Sequence, residues 1–218
     1  MKTKDRIILK AVELFNEHTA SAVSNNRIAA EMGISPGNLH YHFRNRESVI
    51  REIYFILFRK MDGLWYEPSF YGSEDGIVDY FYKLSRLLYE YRFCYRELNV
   101  LLKNDPVLRE EYTARNARIL QQMEKLFHSY VDAGIMKKID SEKDRRYIIE
   151  NTWVVGLMWI SYADLLYEDV TSSIIHESVY HLYYSMKPYL TARSGRKIEE
   201  AILGNKKRDI FSTEKKSE

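Results

Sequence analysis

Cysteine occurs once in the 218 residues, at Cys94. One thiol excludes an intrachain disulfide and a cysteine-built zinc cluster, and it fits a reducing compartment. Cys94 reads either as a redox sensor or, more simply, as a small apolar packing residue. Glycine and proline are scarce, at 9 and 4; so few breakers leave room for long helices. Long apolar runs are missing too. The longest, such as 153–160, falls far short of the ~20 residues that a membrane helix needs. The opening stretch, MKTKDRIILKAVELFNEH, is charged from its start and lacks the apolar core and cleavage site of a signal peptide. The expectation is a soluble, cytoplasmic protein with no membrane partner. Excess charge of one sign is absent: 33 Lys+Arg stand against 31 Asp+Glu, a net +2. That total argues against a uniformly basic nucleic-acid coat.

Catalytic signatures are missing as well. There is no glycine-rich phosphate loop, no HExxH and no acid pair in a meaningful setting. Tyr183 and Lys187 have the spacing of a dehydrogenase dyad, but no strand and glycine turn accompany them. His176 and His181 are five apart with no acidic cluster beside them, which is not a metal pattern. No enzyme, cofactor or metal site is expected.

What is present is ring-rich and helical. Aromatics make up 14%, with 18 Tyr, 9 Phe and 3 Trp, in a chain 45% hydrophobic and 29% charged. No strand-like alternation and no internal repeat are found. Ile7, Ile8, Ala11, Val12, Leu14 and Phe15 form one apolar stripe at helical spacing. After a polar break at 18–24, Ser24 caps a short helix over 25–32, which Gly33 ends. Ser35 caps a second short helix that opens on Pro36 and runs to His42. A turn at 44–46 leads to a long helix from Glu47 to Trp65. Residues 68–76 read as a linker. Beyond it, one helix is expected over 77–103 with a bend at 92–96. Asp105 and Pro106 start another over 107–133, closed by Gly134. A connector at 137–143 precedes a helix ending at Tyr167. The next helix is capped by Thr171 or Ser172 and ends by Pro188. Residues 191–218 read as a polar, basic, frayed tail with a short helix at 198–203 and basic runs at Lys206-Lys207-Arg208 and Lys215-Lys216.

The strongest local signal is 25–43. A helix-turn-helix needs a small residue where its helices cross (Ala29), a glycine at the turn (Gly33) and apolar side chains that set the angle (Ile28, Ile34, Leu39). The second helix then exposes Pro36, Gly37, Asn38, His40 and Tyr41, residue types suited to a major groove. The fuller pattern is Ile7…Ala11…Leu14-Phe15, then RIAAEMGISPGNLHYHF over 27–43, then Arg46-Glu47-Ser48-Val49-Ile50. Over residues 4–52 it resembles the amino-terminal domain of the tetracycline-repressor (TetR) family.

That resemblance implies an all-α homodimer. Its three-helix DNA-binding domain (1–46) would read a palindromic operator in double-stranded DNA. Its larger helical domain (47–190) would bind a small effector and supply the dimer interface, with 191–218 as the tail. Most such proteins repress transcription and release DNA on binding the effector. Ser24 then stands where the family places a phosphate-contacting Thr or Ser. Asn25 and Asn26 follow it, as candidates for phosphate or a base edge. Pro36, Gly37 and Asn38 open the recognition helix. His40 replaces the usual Tyr, a departure that keeps a hydrogen-bonding ring. Tyr41 reads as a DNA contact or a packing residue, and His42 matches the usual His or Tyr before Phe43. Arg46 replaces a phosphate-contacting Lys and retains the capacity for bidentate contact. Charge distribution agrees: residues 1–60 carry +4, 61–190 carry −5 and 191–218 carry +3.

Beyond residue 52 the resemblance thins, although 93–112 looks like one subgroup of these regulators. The helix ending at Tyr167 is apolar nearly all round, so it must be buried on two faces. Trp153 and Ile160 from it, with Ile175, Val179, Leu182, Tyr183 and Met186 from the next helix, are the expected dimer seam. Gly156 allows close helix approach. Phe93, Tyr95, Leu98, Leu101, Met123, Phe127, Tyr130, Trp153, Met158 and Trp159 are candidates for an apolar or aromatic effector pocket, and each also reads as plain core. A helical ligand-binding dimer or scaffold without specific DNA binding stays open as the rival.

Overall fold

A computed structural model describes residues 2–166 and 172–205. Every regular element among them is helical; an isolated antiparallel bridge joins Met136 and Leu190. The chain divides into two compact units: residues up to 62 with 90–114, and residues 63–89 with those from 115 onward. These bounds differ from the expected divisions at 46 and 190. The long helix after the helix-turn-helix and two short helices near residue 100 pack with the amino-terminal part.

In the first unit α1 (Thr3–Glu17) buries Ile7, Ile8, Ala11, Val12, Leu14 and Phe15, the stripe read from its period. α2 (Asn25–Glu31) starts where the Ser24 hydroxyl accepts from the Arg27 amide at 3.2 Å. α3 (Pro36–His42) starts where Ser35 does the same for Asn38, also at 3.2 Å. Each cap satisfies an otherwise orphaned helix N–H. Between them Gly33 sits at φ +64°, in the left-handed region that costs a side-chain-bearing residue 1 kcal/mol or more, to order of magnitude. α4 (Arg46–Trp65) follows.

The single bent helix expected over 77–103 is instead three: α5 (Glu74–Glu90), α6 (Arg92–Arg96) and α7 (Leu98–Asn104). No Gly or Pro marks either break. Tyr91 and Glu97, at the junctions, leave the helical region of φ and ψ, and the Glu97 carboxylate accepts from the Ala20 amide. α5 also begins inside the supposed linker, so Gly76 is helical and buried, and residues 68–70 form a 3₁₀ turn with Phe70 buried.

α8 (Pro106–Asp132), which enters the second unit at residue 115, leads through Gly134 to α9 (Glu142–Leu166), then α10 (Ser172–Met186) and α11 (Ala192–Asn205). Tyr167 and Thr171 lie outside the described residues. α9 and α10 pack along each other. At their crossing Gly156 faces Leu182 so closely that a Cβ there would come within 3.0 Å of a Leu182 methyl. The expected frayed tail is corrected by α11, which buries Ser194, Ile198 and Ile202 and packs on α10. Ile198 and Ile202 are a helical turn apart, so a polar sequence still presents one narrow apolar stripe. Lys206-Lys207-Arg208 and Lys215-Lys216 lie outside the described residues. Among the described residues no helix is long and apolar enough to cross a membrane.

Candidate DNA-binding face and effector cavity

The helix-turn-helix is anchored from within. Ile28 and Ala29 are fully buried, Leu39 nearly so, and α2 packs on α3 and α1. Burying Leu39 turns the rest of α3 outward. Pro36, Gly37, Asn38, His40 and Tyr41 are all exposed, Tyr41 to 86%. So large an exposed aromatic on a short helix contributes little to its own unit's core. His42 is half-buried, its ring edge-on to Tyr41 at 5.2 Å between centroids. Ser24 and Asn26 are exposed beside this surface.

Two candidates are held inside the unit. Asn25 is half-buried and donates to the Phe43 carbonyl at 3.4 Å, tying the start of α2 to the end of α3; its side-chain oxygen is buried without a partner. Arg46 donates to the Ser21 carbonyl at 3.1 Å and pairs with Glu47 at 3.3 Å. The guanidinium has five donors, so this engagement still leaves capacity for an anion.

A second set of side chains, invisible in the helix-turn-helix pattern, fixes the approach to this face. Arg96 on α6 donates to the carbonyls of Phe15, Asn16 and His18 at 2.7, 3.2 and 2.6 Å, closing the end of α1. The adjacent Glu97 carboxylate accepts from the Ala20 amide at 2.9 and 3.0 Å. Asn16 answers by donating to the Glu90 carbonyl and accepting from the Phe93 amide. The sequence signal was an adjacent Arg–Glu pair inside an otherwise aromatic run. Arg27 also donates to the His18 ring at 2.8 Å.

The effector candidates divide. The second unit holds a partly open cavity of about 50 Å³ walled by residues from α5, α8, α9 and α10 together with Met136. Met123, Phe127, Tyr130 and Trp153 are in its wall. Phe93, Tyr95, Leu98 and Leu101 are not; they belong to the first unit. There Phe93 packs on Phe15 at 5.0 Å and Tyr95 reaches the Met61 sulfur at 3.5 Å. Met158 is exposed, and Trp159 is stacked on His181 at 3.7 Å. Sequence reasoning did not single out Tyr80, Phe81, Thr152 or Met136, which also line the cavity. Among the described residues no charged side chain lines it, and Cys94 lies elsewhere, fully buried with its thiol pushed up by burial.

The dimer candidates all pack within one chain. Trp153, Ile160, Ile175, Val179, Leu182 and Tyr183 are all buried within one chain, and Met186 lines the cavity. The large apolar side chains that α9 leaves exposed are Tyr147, Val154, Met158, Tyr162, Leu165 and Leu166, with Tyr184 exposed on α10. α9 has apolar residues on every side, so its period did not say which face the protomer fills.

A helix-turn-helix with a bare recognition helix, joined in one chain to a helical bundle holding an apolar cavity, defines a DNA-binding regulator with an effector domain. Known proteins agree. Residues 7–53 match the family described as bacterial regulatory proteins, tetR family, and residues 68–198 match the TetR family described as bacterial transcriptional repressor. The chain belongs to the TetR family of non-enzymatic transcription regulators. The structure of a TetR-family regulator from Marinobacter aquaeolei VT8 is similar, with 30% identity, a TM-score of 0.84, and coverage of 94% of this chain and 98% of that one. The regulator QacR of Staphylococcus aureus is 29% identical over 133 residues, which are 61% of this chain and 67% of QacR. SmeT, solved as a complex with triclosan, shares the fold at 15% identity and a TM-score of 0.57, with coverage of 88% and 93%.

Proposed function

We propose that this chain is a ligand-responsive transcriptional repressor that binds a palindromic operator as a homodimer in the cytoplasm and is released by a small apolar or aromatic effector. The observation that carries DNA reading is the face of α3. Leu39 anchors the helix while Asn38, His40 and Tyr41 stand free. Asn and His reach base edges with hydrogen bonds, and Tyr adds apolar contact or a phosphate bond. Ser24, Asn26, Arg46 and His42 flank that helix as phosphate or base contacts. Pro36 and Gly37 let its first turn approach the groove. Asn25 acts through the α2–α3 junction.

Dimerisation is proposed through the exposed stripe of α9. Val154, Met158, Tyr162 and Leu165–Leu166 recur every three or four residues on one face, and Tyr184 of α10 adds to it. Apolar area of this kind is normally covered by a partner, and a two-fold copy of the same face makes a four-helix interface. The effector is proposed to enter the cavity of the second unit, whose wall is uncharged and ring-rich. SmeT, with its bound triclosan, is a fold relative that holds an aromatic small molecule. Coupling is by linkage. The effector favours a conformation in which the two recognition helices no longer match half-sites one turn of DNA apart, and a coupling of about 1–3 kcal/mol lowers DNA affinity roughly 5- to 150-fold.

The test is a gel shift and footprint on DNA flanking the gene that encodes this chain. A protected palindrome, with affinity falling steeply as salt rises, is the expected result. Binding that does not discriminate that DNA from random duplex at any salt overturns the reading in favour of a ligand-binding scaffold.

A further inference from the structure

The cavity wall of the second unit has four side chains able to form strong hydrogen bonds: Tyr80, Tyr130, Thr152 and Trp153. Three are committed. Tyr130 donates to the Phe70 carbonyl at 2.8 Å. Thr152 donates to the Ile148 carbonyl at 2.9 Å and accepts from Ser185 at 3.4 Å. The Trp153 indole donates to Asn116 at 2.8 Å. Tyr80 is different. Its ring is fixed against Trp65, Phe70 and Phe81 at 5.2, 5.5 and 6.2 Å between centroids, and its hydroxyl is buried without a hydrogen-bond partner. The neighbouring Trp65 indole N–H is also buried without a partner. Leaving a buried donor unpaired is costly, and such groups are rare enough to call for an explanation.

We propose that the effector is an uncharged, largely apolar molecule carrying one hydrogen-bond acceptor, and that the Tyr80 hydroxyl is the group that holds that acceptor. This rests on reading the cavity as the effector site. An ion of either sign would enter a wall with no counter-charge and lose its hydration unpaid. Burial holds the Tyr80 phenol protonated, its pKa pushed well above the ordinary value, so what it offers a ligand is an O–H. A carbonyl, ether or hydroxyl oxygen on a flat apolar body matches both features. The unfilled volume, about 50 Å³, is less than the roughly 300 Å³ or more of typical ligand sites, so binding must part the walls. Met123, Met136 and Met186, unbranched and flexible, line it where such yielding is easiest.

The test uses the full chain, its Tyr80→Phe variant and three matched probes, titrated by calorimetry: 2-acetylnaphthalene, 2-ethylnaphthalene and a naphthyl-trimethylammonium cation. The ketone is expected to bind the unmodified chain about three- to tenfold tighter than the hydrocarbon, one hydrogen bond's worth. The cation is expected to bind at least about tenfold more weakly than the ketone, as a charge left unpaired in an apolar wall should. Tyr80→Phe should bring ketone and hydrocarbon together while the hydrocarbon's affinity stays unchanged. Equal binding of ketone and hydrocarbon by the unmodified chain overturns the proposal, as does a gap that survives in Tyr80→Phe or a cation that binds as well. A thermal midpoint markedly lowered by Tyr80→Phe also overturns it, because the hydroxyl would then have a structural partner. The underlying reading fails separately. If neither naphthalene binds, or if both bind undiminished when Leu84→Trp fills the space, the cavity is not the effector site.

Discussion

Tyr41 and Leu39 sit two residues apart on the same short helix and have opposite fates, 86% and 1% exposed. That contrast separates recognition from stability one side chain at a time. Replacing Tyr41 and His42 together with Ala removes ring surface that the fold hardly uses. The expected outcome is operator affinity reduced at least tenfold, with dimer mass and thermal midpoint unchanged, read by gel shift, sedimentation and calorimetry. Leu39→Ala should do the reverse of sparing the fold, costing about 2–5 kcal/mol as a buried large-to-small change, visible as a lowered unfolding midpoint. Arg96 belongs with the structural group. Its guanidinium serves three carbonyls at the end of α1. Arg96→Met should cost at least about 2 kcal/mol, since a hydrogen bond to a charged group is worth roughly 1.5–3 kcal/mol net of its exchange with water.

At the scale of elements, the helix-turn-helix was readable because its constraints are local: two serine caps, one left-handed glycine, and apolar residues within a span of about a dozen. Gly33→Ala is expected to destabilise by about 1 kcal/mol through backbone strain alone, since nothing lies within 4 Å of a Cβ there. The expected bend at 92–96 falls at the α5–α6–α7 breaks, but that these end helices was not readable. Their cause is distant: Asn16, Ala20 and the end of α1 claim the backbone and side chains around 93–97. A single-helix period runs on past such breaks, because the apolar residues on either side keep the spacing. α11 was underestimated for the opposite reason. Its apolar stripe of Ile198 and Ile202 is thin, and it becomes a core only once α10 is beside it. At the α9–α10 crossing, Gly156→Val should destabilise by about 1–3 kcal/mol through overpacking against Leu182, checked by chemical denaturation.

For the whole molecule the net +2 conceals a basic head, an acidic body and a basic tail, and only the head has to face phosphate. In the proposed homodimer two half-sites are read at once, so tight operator binding requires the pair. Met158→Glu together with Leu165→Glu, both on the exposed face of α9, should therefore convert the protein to monomer in sedimentation and lower operator affinity by at least tenfold, while leaving its helical content intact. Substitution of Ile160 or Val179, buried inside the protomer, should instead lower the unfolding midpoint.

The sequence by itself determined the all-helical class, the caps and turn of the helix-turn-helix, and the exposure of the recognition helix, because each depends on residues within a few turns of one another. Tertiary structure alone decided which of the many rings line the cavity, which side of α9 is left bare, and that Tyr80 keeps an unspent hydroxyl in the cavity wall. Apolar periodicity reports that a side chain is removed from water. It carries no information about what removes it, whether the same chain, a second copy or a ligand.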